Sequence, residues 1–339
     1  MLLTALAGVG RYVHGISHIL AFVLAGLALA GLAWLVSVGT EQVGARYGSG
    51  ATGLLQSTVG NLPEFFVVLF ALQARDTIVA QTAILGSILV NALLVLGLVL
   101  LAGSLRSRDR IMRFGKELPR DTTTLLLVAS FIIVLIGLVN TAGNPARQHI
   151  GTISIVGAIA LLIVYAVWLP QYLRSDAGAA ETGSEARLTL RLSIGLLVLA
   201  GTGSAFVSDW FVDALEPTIH TLGISQAFAG LVIVAIAGNA VENVTGIVLA
   251  WKGHADLAIS VVKNSVAQLA AFLFPALVLI SLLTASRLTF ALAPVYIGAL
   301  IGMAIVVGQI TNDGEGTPFE GVALIAAFVI LATVAAFEH

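Results

Sequence analysis

The sequence predicts an all-α polytopic membrane protein with ten transmembrane helices, arranged as two inverted five-helix repeats. Three observations carry this. Of the 339 residues, 58% are hydrophobic and 10% are charged. Mean hydropathy is +1.03, well outside the range of a water-soluble globule. Polar punctuation inside the apolar runs then recurs at an offset of 178 residues.

Segments able to cross about 30 Å of hydrocarbon, at about 20 residues each, fall near residues 17–39, 50–73, 77–103, 122–140, 150–172, 191–215, 225–251, 255–283, 288–308 and 318–337. The N-terminus lacks a short apolar core followed by a small-residue cleavage site, so the first run reads as a mature helix. The stretch "RSDAGAAETGSEAR", 174–187, reads as a flexible polar linker and divides the spans five and five. The expected organisation is a first repeat over 1–173, a linker over 174–190 and a second repeat over 191–339.

Lys and Arg set the orientation. The loops after odd-numbered spans carry eleven of them, among them Arg46, Arg106, Arg113, Arg174 and Lys252, and the opposite face carries four, Arg11, Arg75, Arg147 and Arg287. The expectation is a prokaryotic inner-membrane protein with both termini outside and the linker in the cytoplasm. A net charge of −2 argues against nucleic acid as a partner, and the absence of cysteine removes disulfides and thiolate metal sites. The expected partners are the lipid bilayer, inorganic cations and protons, with no resident cofactor; the sequence admits a homo-oligomer.

At the 178-residue offset, Gly60, Asn61 and Glu64 superpose on Gly238, Asn239 and Glu242, and Gly86 and Ser87 on Asn264 and Ser265. Five spans is an odd number, so the second copy enters the membrane from the opposite side. Glu64 lies 14 residues into the second span and Glu242 17 residues into the seventh, depths of about 21 and 25 Å. Both carboxylates come to the middle of the bilayer, where each costs about 2.5–3.5 kcal/mol against lipid and must face a polar interior.

Local chemistry sharpens this. Pro63 has no N–H, so the carbonyl of Val59 is expected to leave the helix ladder, and Gly60 lets the chain bend. A cation would satisfy that carbonyl, with Glu64 and Asn61 beside it. The second copy has Val241 in place of the proline, so unwinding there rests on Gly238. Ser87, Asn91, Ser265 and Gln268, in the spans that follow, are neutral oxygen donors suited to a hard cation such as Ca²⁺ or Na⁺. A single Asn or Ser in such a helix commonly stitches helices together; duplication separates these from that background. A desolvated glutamate also takes up a proton readily, so cation and proton compete for the same carboxylates.

These residues resemble the Ca²⁺/H⁺ antiporters, the cation-exchanger branch of the calcium/cation antiporter superfamily. The resemblance rests on "GNLPEF" with "GSILVNALLVLG" in the first half, and on "GNAVEN" with "KNSVAQLA" in the second. It extends to "GTEQVGARYGSGATGLLQSTVGN", "GLVIVAIAGN" and "DGEGTPFEGVALIAAF", covering nearly the whole chain. It implies two inverted five-helix halves, alternating access and proton coupling. Glu64 and Glu242 would be the metal and proton carriers, with Asn61 and Asn239 beside them and Ser87, Asn91, Ser265 and Gln268 in support. Members often add an N-terminal helix and a long acidic linker, and neither is read here.

Three departures stand out. Asn243 replaces the motif histidine, Asn264-Ser265-Val266 replaces Gly-Ser-Ser, and Lys263 stands at a usually apolar position. Lys263 lies nine residues into its span, about 14 Å, and is expected to pair with Glu242 or Glu64 and to compensate charge. The lysine and the lost histidine motivate a Na⁺/H⁺ antiporter as the alternative; an ion channel is a third reading. Glu41, Asp209, Asp213 and Glu216 are candidate vestibule acids. No enzyme is expected, since H-E-x-x-H is absent and no serine or aspartate pair is similarly punctuated.

Overall fold

The computed structural model of the protein describes residues 2–13, 15–47, 60–115, 117–176 and 188–338; for residues 41, 44–47, 117–121, 172–176, 241 and 242 it describes the backbone alone. The helices in chain order are α1 (Leu2–Tyr12), α2 (His18–Tyr47), α3 (Leu62–Gln73), α4 (Thr77–Arg106), α5 (Glu117–Thr141), α6 (Ile150–Asp176), α7 (Leu190–Leu222), α8 (Gln226–Gly238), α9 (Ala240–Lys252), α10 (Ala255–Leu283), α11 (Pro294–Thr311) and α12 (Pro318–Ala336). A two-residue strand β1 (Met112–Arg113) pairs antiparallel with β2 (Glu315–Gly316).

Among the described residues, eight helices are long and apolar enough to cross a membrane. A ninth crossing results if α8 and α9 count as one span broken by a 56° bend, and α3 is a shorter apolar helix of 12 residues. The expected second span is thus helical from Leu62; residues 48–59, Val59 included, lie outside the described residues, as does most of the linker, 177–187.

Several boundaries differ from expectation. Residues 2–12, where no additional helix was read, form α1, which packs on α2 and α7. α2 continues to Tyr47, two turns past its expected end, so Glu41 has a helical backbone; its side chain lies outside the described residues. α11 begins at Pro294 rather than near 288, because Pro294 supplies an N-terminal residue that needs no backbone donor. The linker's first three residues, 174–176, still belong to α6.

The 178-residue offset is visible in the backbone. α3 and α9 begin 178 residues apart, as do α4 and α10. The turn between α3 and α4 has Arg75 at φ 64°, and the turn between α9 and α10 has Gly253 at φ 91°. Arg75 N–H donates to Leu72 and Asp76 N–H to Ala71; Gly253 N–H donates to Ala250 and His254 N–H to Leu249. The same two hydrogen bonds close both turns. π-helical turns then interrupt α4 at Val90–Val95 and α10 at Leu269–Leu273. Such bulges are rare and gather at functional sites.

Glycine sets the closest helix approaches. A Cβ on Gly86 would lie 2.3 Å from the Leu231 carbonyl oxygen, so α4 and α8 touch backbone to backbone. Gly97 and Gly321 do the same for α4 and α12, where an added Cβ would stand 2.8 Å and 2.7 Å from the opposing carbonyl. Small residues give membrane helices the van der Waals contact that hydrophobicity cannot supply between them. The β1–β2 pair and the Gly115 N–H donating to Asp256 Oδ1 (2.6 Å) gather the loops after α4, α9 and α11 on one face. On the other, Gln81 Nε2 of α4 donates to the Thr289 carbonyl and Phe290 N–H donates to Ser154 Oγ of α6, fixing the α10–α11 loop to those two helices.

Candidate functional site

Both Gly-Asn elements break the helix at one point. Asn61 has φ −90° and ψ 16°, and Asn239 has φ −95° and ψ 15°. The following turn restarts at once: Phe65 N–H donates to the Asn61 carbonyl and Asn243 N–H to the Asn239 carbonyl, each at 3.0 Å. Pro63 therefore sits in the first turn of a new helix, where a missing N–H costs nothing, rather than inside a continuous one. The expected release of the Val59 carbonyl falls on a residue outside the described ones. The second copy, with Val241 there, breaks equally well.

Placing the break one turn before the glutamate has an electrostatic consequence. Glu64 lies in the first turn of α3, where unsatisfied N–H groups and the helix dipole favour negative charge. It is buried, 5% exposed. Its Oε1 lies 3.0 Å from the point a Cβ on Gly238 would occupy. The glycine of the second element is thus the space into which the carboxylate of the first reaches. A small cavity with room for about one water molecule is bounded there by Glu64, Ser87 and Gly238, with apolar walls from Leu29, Val67, Val68, Phe211 and Val234. The backbone of Glu242 occupies the matching position in α9, and its side chain lies outside the described residues.

Beside the cavity, Asn239 meets three of the expected supporting residues. Asn91 Nδ2 donates to Asn239 Oδ1 (2.8 Å) and to Ser265 Oγ (3.1 Å). Asn239 Nδ2 donates to Ser87 Oγ and to the Ala235 carbonyl, both at 2.9 Å. Ser87 and Asn91 are four residues apart on α4 and share a face. The network ties α4 to the α8–α9 break and to α10, with every member buried. Asn61 and Gln268 are buried too, at 5% and 7% exposure, but their amides are not part of this network.

Lys263 goes elsewhere. Its Nζ donates to Thr123 Oγ1 (2.5 Å) and Thr311 Oγ1 (2.7 Å), on α5 and α11. Two residues along a helix is a rotation of about 200°, so with Ser265 facing Asn91, Lys263 faces away. Among the described side chains its contacts are these hydroxyls of α5 and α11; the expected pairing with Glu242 falls on a side chain outside the described residues. Asn264 Nδ2 donates to Ser260 Oγ on its own helix (3.2 Å), and Asn243 is half-buried one residue after Glu242. Thr123 and Thr311 were not singled out from sequence; threonines in apolar helices carry no local signal of a distant lysine.

Of the expected vestibule acids, Asp213 forms an ion pair with Arg11 of α1, Asp209 is half-buried one turn earlier, and Glu216 is exposed. Asp76, which the sequence did not mark, caps α4 by accepting from Val79 N–H (3.0 Å). Burial raises its carboxyl above the usual aspartate range, and the nearby Glu216 charge adds to that against the Val79 hydrogen bond.

Long apolar helices that enclose a buried carboxylate at a helix break define a polytopic integral membrane protein built around a polar intramembrane site. The sodium/calcium exchanger protein family matches residues 17–170 and 192–337, and the chain belongs to that family. It is 28% identical over 350 residues to a Ca(2+)/H(+) antiporter of Aphanothece halophytica, covering 97% of this chain and 93% of the relative. It is 30% identical to the Ca(2+)/H(+) antiporter ChaA of Bacillus subtilis, covering 96% and 94%. It is 31% identical to a vacuolar calcium ion transporter of Schizosaccharomyces pombe, covering 91% and 77%. Among solved structures, native YfkE superposes with a TM-score of 0.83 at 27% identity, covering 99% of this chain and 97% of that one. The H+/Ca2+ exchanger CAX shares the fold, with a TM-score of 0.80 at 17% identity over 98% and 88% of the two chains.

Proposed function

We propose that the protein is a secondary active Ca²⁺/H⁺ antiporter of a prokaryotic inner membrane. Ten spans form two inverted halves, 1–173 and 191–339, joined by a cytoplasmic linker over 174–190, with both termini outside. Glu64 and Glu242 carry Ca²⁺ or protons in alternation; the ions are substrates, not resident cofactors. The observation that carries the reading is Glu64 seated against Gly238 of the other Gly-Asn element, with Asn239, Ser87, Asn91 and Ser265 hydrogen-bonded beside it. Two carboxylates in a low dielectric are neutralised by one divalent ion or by protons, so loading one species requires release of the other. Asn61, Gly60 with the Val59 carbonyl, Ser87 and Gln268 are the remaining oxygen sources for the ion.

Supporting Ca²⁺ over Na⁺ are the relatives of Aphanothece halophytica and Bacillus subtilis, both Ca(2+)/H(+) antiporters.

The test is collapse of an imposed pH gradient in proteoliposomes on adding CaCl₂ or NaCl. CaCl₂ is expected to collapse it and NaCl is not, and Glu64→Gln and Glu242→Gln are each expected to reduce the flux by more than about 100-fold, the scale of losing an ionised ligand. Normal flux in both variants would refute the site.

A further inference from the structure

Helix α7 carries two serines that neither the network nor the repeat explains. Ser204 and Ser208 are both 0% exposed, and among the described residues neither hydroxyl has a hydrogen-bond partner. Several other buried helical hydroxyls donate to a carbonyl three or four residues back: Thr218 to Ala214, Thr311 to Val307, Ser193 to Thr189 and Ser104 to Leu101, at 2.7, 2.8, 3.1 and 3.1 Å. The corresponding carbonyls of Ala200 and Ser204 are within the same helix, and the two serines leave them unused. Ser130 on α5 is also unpartnered, but α5 supplies no wall of the cavity at Glu64.

Position gives the pair a direction. Ser204, Ser208 and Phe211, at i, i+4 and i+7, fall within a stripe about 60° wide, and Phe211 lines the cavity with Glu64, Ser87 and Gly238. Gly201 packs on Leu62, with an added Cβ 3.2 Å from Leu62 Cδ1. Further along, Glu216 lies close enough to Asp76 to raise its carboxyl. α3 and α7 therefore run in the same direction. Glu64 is level with residue 203, so Ser204 stands about 1.5 Å past it and Ser208 about 7.5 Å past it, toward the face that carries Asp76 and Glu216.

A serine hydroxyl both donates and accepts, so a buried one without a protein partner is a ready contact for a hard cation or for the water that cation carries. We infer that Ser204 and Ser208 are successive oxygen contacts for the hydrated divalent cation on the Asp76–Glu216 side of Glu64. This rests on the proposed Ca²⁺/H⁺ exchange and extends it to a helix outside both repeated motifs.

The native chain has no cysteine, so Ser204→Cys and Ser208→Cys each introduce a lone thiol. In proteoliposomes, saturating Ca²⁺ is expected to slow modification of both thiols by a small cationic methanethiosulfonate about three-fold or more, and the double variant Ser204→Ala/Ser208→Ala is expected to raise KM for Ca²⁺ about five-fold, the size of one lost oxygen contact. Ser208→Thr, which keeps the hydroxyl, stays near the native KM. Native KM in the double alanine variant, or thiol reactivity indifferent to Ca²⁺, overturns the inference. If the native protein exchanges Ca²⁺ for protons and the variants match it, this inference alone fails; if the native protein shows no such exchange, the proposed function fails with it.

Discussion

At Asn61 and Asn239 the chain makes nearly the same turn, yet the two side chains do different work. Asn239 spends its amide on Ser87, Asn91 and the Ala235 carbonyl. Asn61 is buried but does not cap its helix or enter that network. The backbone of the element is therefore symmetric and its side-chain chemistry is not. Asn239 holds helices together, and under the proposed exchange Asn61 is a candidate contact for the ion. Pro63 against Val241 teaches the same lesson for the break itself, since Gly-Asn makes it with or without the proline.

The comparison breaks most decisively at the asparagines. Asn239→Ala is expected to destabilise the protein by about 2–4 kcal/mol, because it leaves buried donors and acceptors of α4 unpaired. Asn61→Ala is expected to cost less than about 1 kcal/mol and instead to raise KM for Ca²⁺. Thermal unfolding in detergent, read beside transport, separates the two. Equal stability losses would show the halves to be chemically symmetric after all.

Next in size is Gly238→Ala. Its Cβ would stand 3.0 Å from Glu64 Oε1, closer than a carbon and a carboxylate oxygen sit comfortably, so the carboxylate must move. Exchange is expected to fall about ten-fold, equivalent to about 1.4 kcal/mol, with the unfolding temperature nearly unchanged. Native exchange in this variant would mean that the carboxylate does not work from that position.

The repeated turn allows a reciprocal test of about 1 kcal/mol. Arg75 and Gly253 both have positive φ, a conformation that costs an ordinary residue about 1–2 kcal/mol. Arg75→Gly is expected to stabilise, and Gly253→Ala to destabilise by about the φ cost, because the Arg106 guanidinium 2.3 Å from the new Cβ is the far end of a flexible side chain and can swing clear. Denaturation of the paired variants checks both signs.

The smallest effect lies where the halves meet outside the site, at β1–β2. Arg113 binds Asp109 (2.6 Å) and Glu315 (3.4 Å) across the exposed ribbon. The hydrogen bond from Arg113 holds the Asp109 carboxyl below its usual range. A depressed pKa contributes stability that is complete above the unfolded aspartate value of about 3.9 and is lost as pH falls through the lower folded value. Asp109→Asn is expected to lower the unfolding temperature slightly at pH 7, and the difference should vanish in acid and shrink in high salt. A difference that persists after the carboxyl is protonated would place the effect in backbone geometry instead.

Much of this arrangement was legible in the residues. Apolar run length is a local property set by bilayer thickness, so most helix positions followed from it. Gly-Asn-x-x-Glu at a fixed offset located both breaks, since glycine and asparagine act on their own backbone. Where expectation failed, local chemistry had been read without its neighbours. α1 went unread because 11 residues are too few to register as a crossing, yet it packs on α2 and α7.

The sequence by itself thus determined an apolar, helical, twice-punctuated chain with two acids at matching depths. Only the tertiary structure decided which way each polar side chain turns. Lys263 finds Thr123 and Thr311 at separations of 140 and 48 residues, and Asn91 finds Ser265 at 174. The rotation of a helix about its axis is set by the helices that pack against it, and in a chain apolar on every side the local pattern carries little record of that rotation.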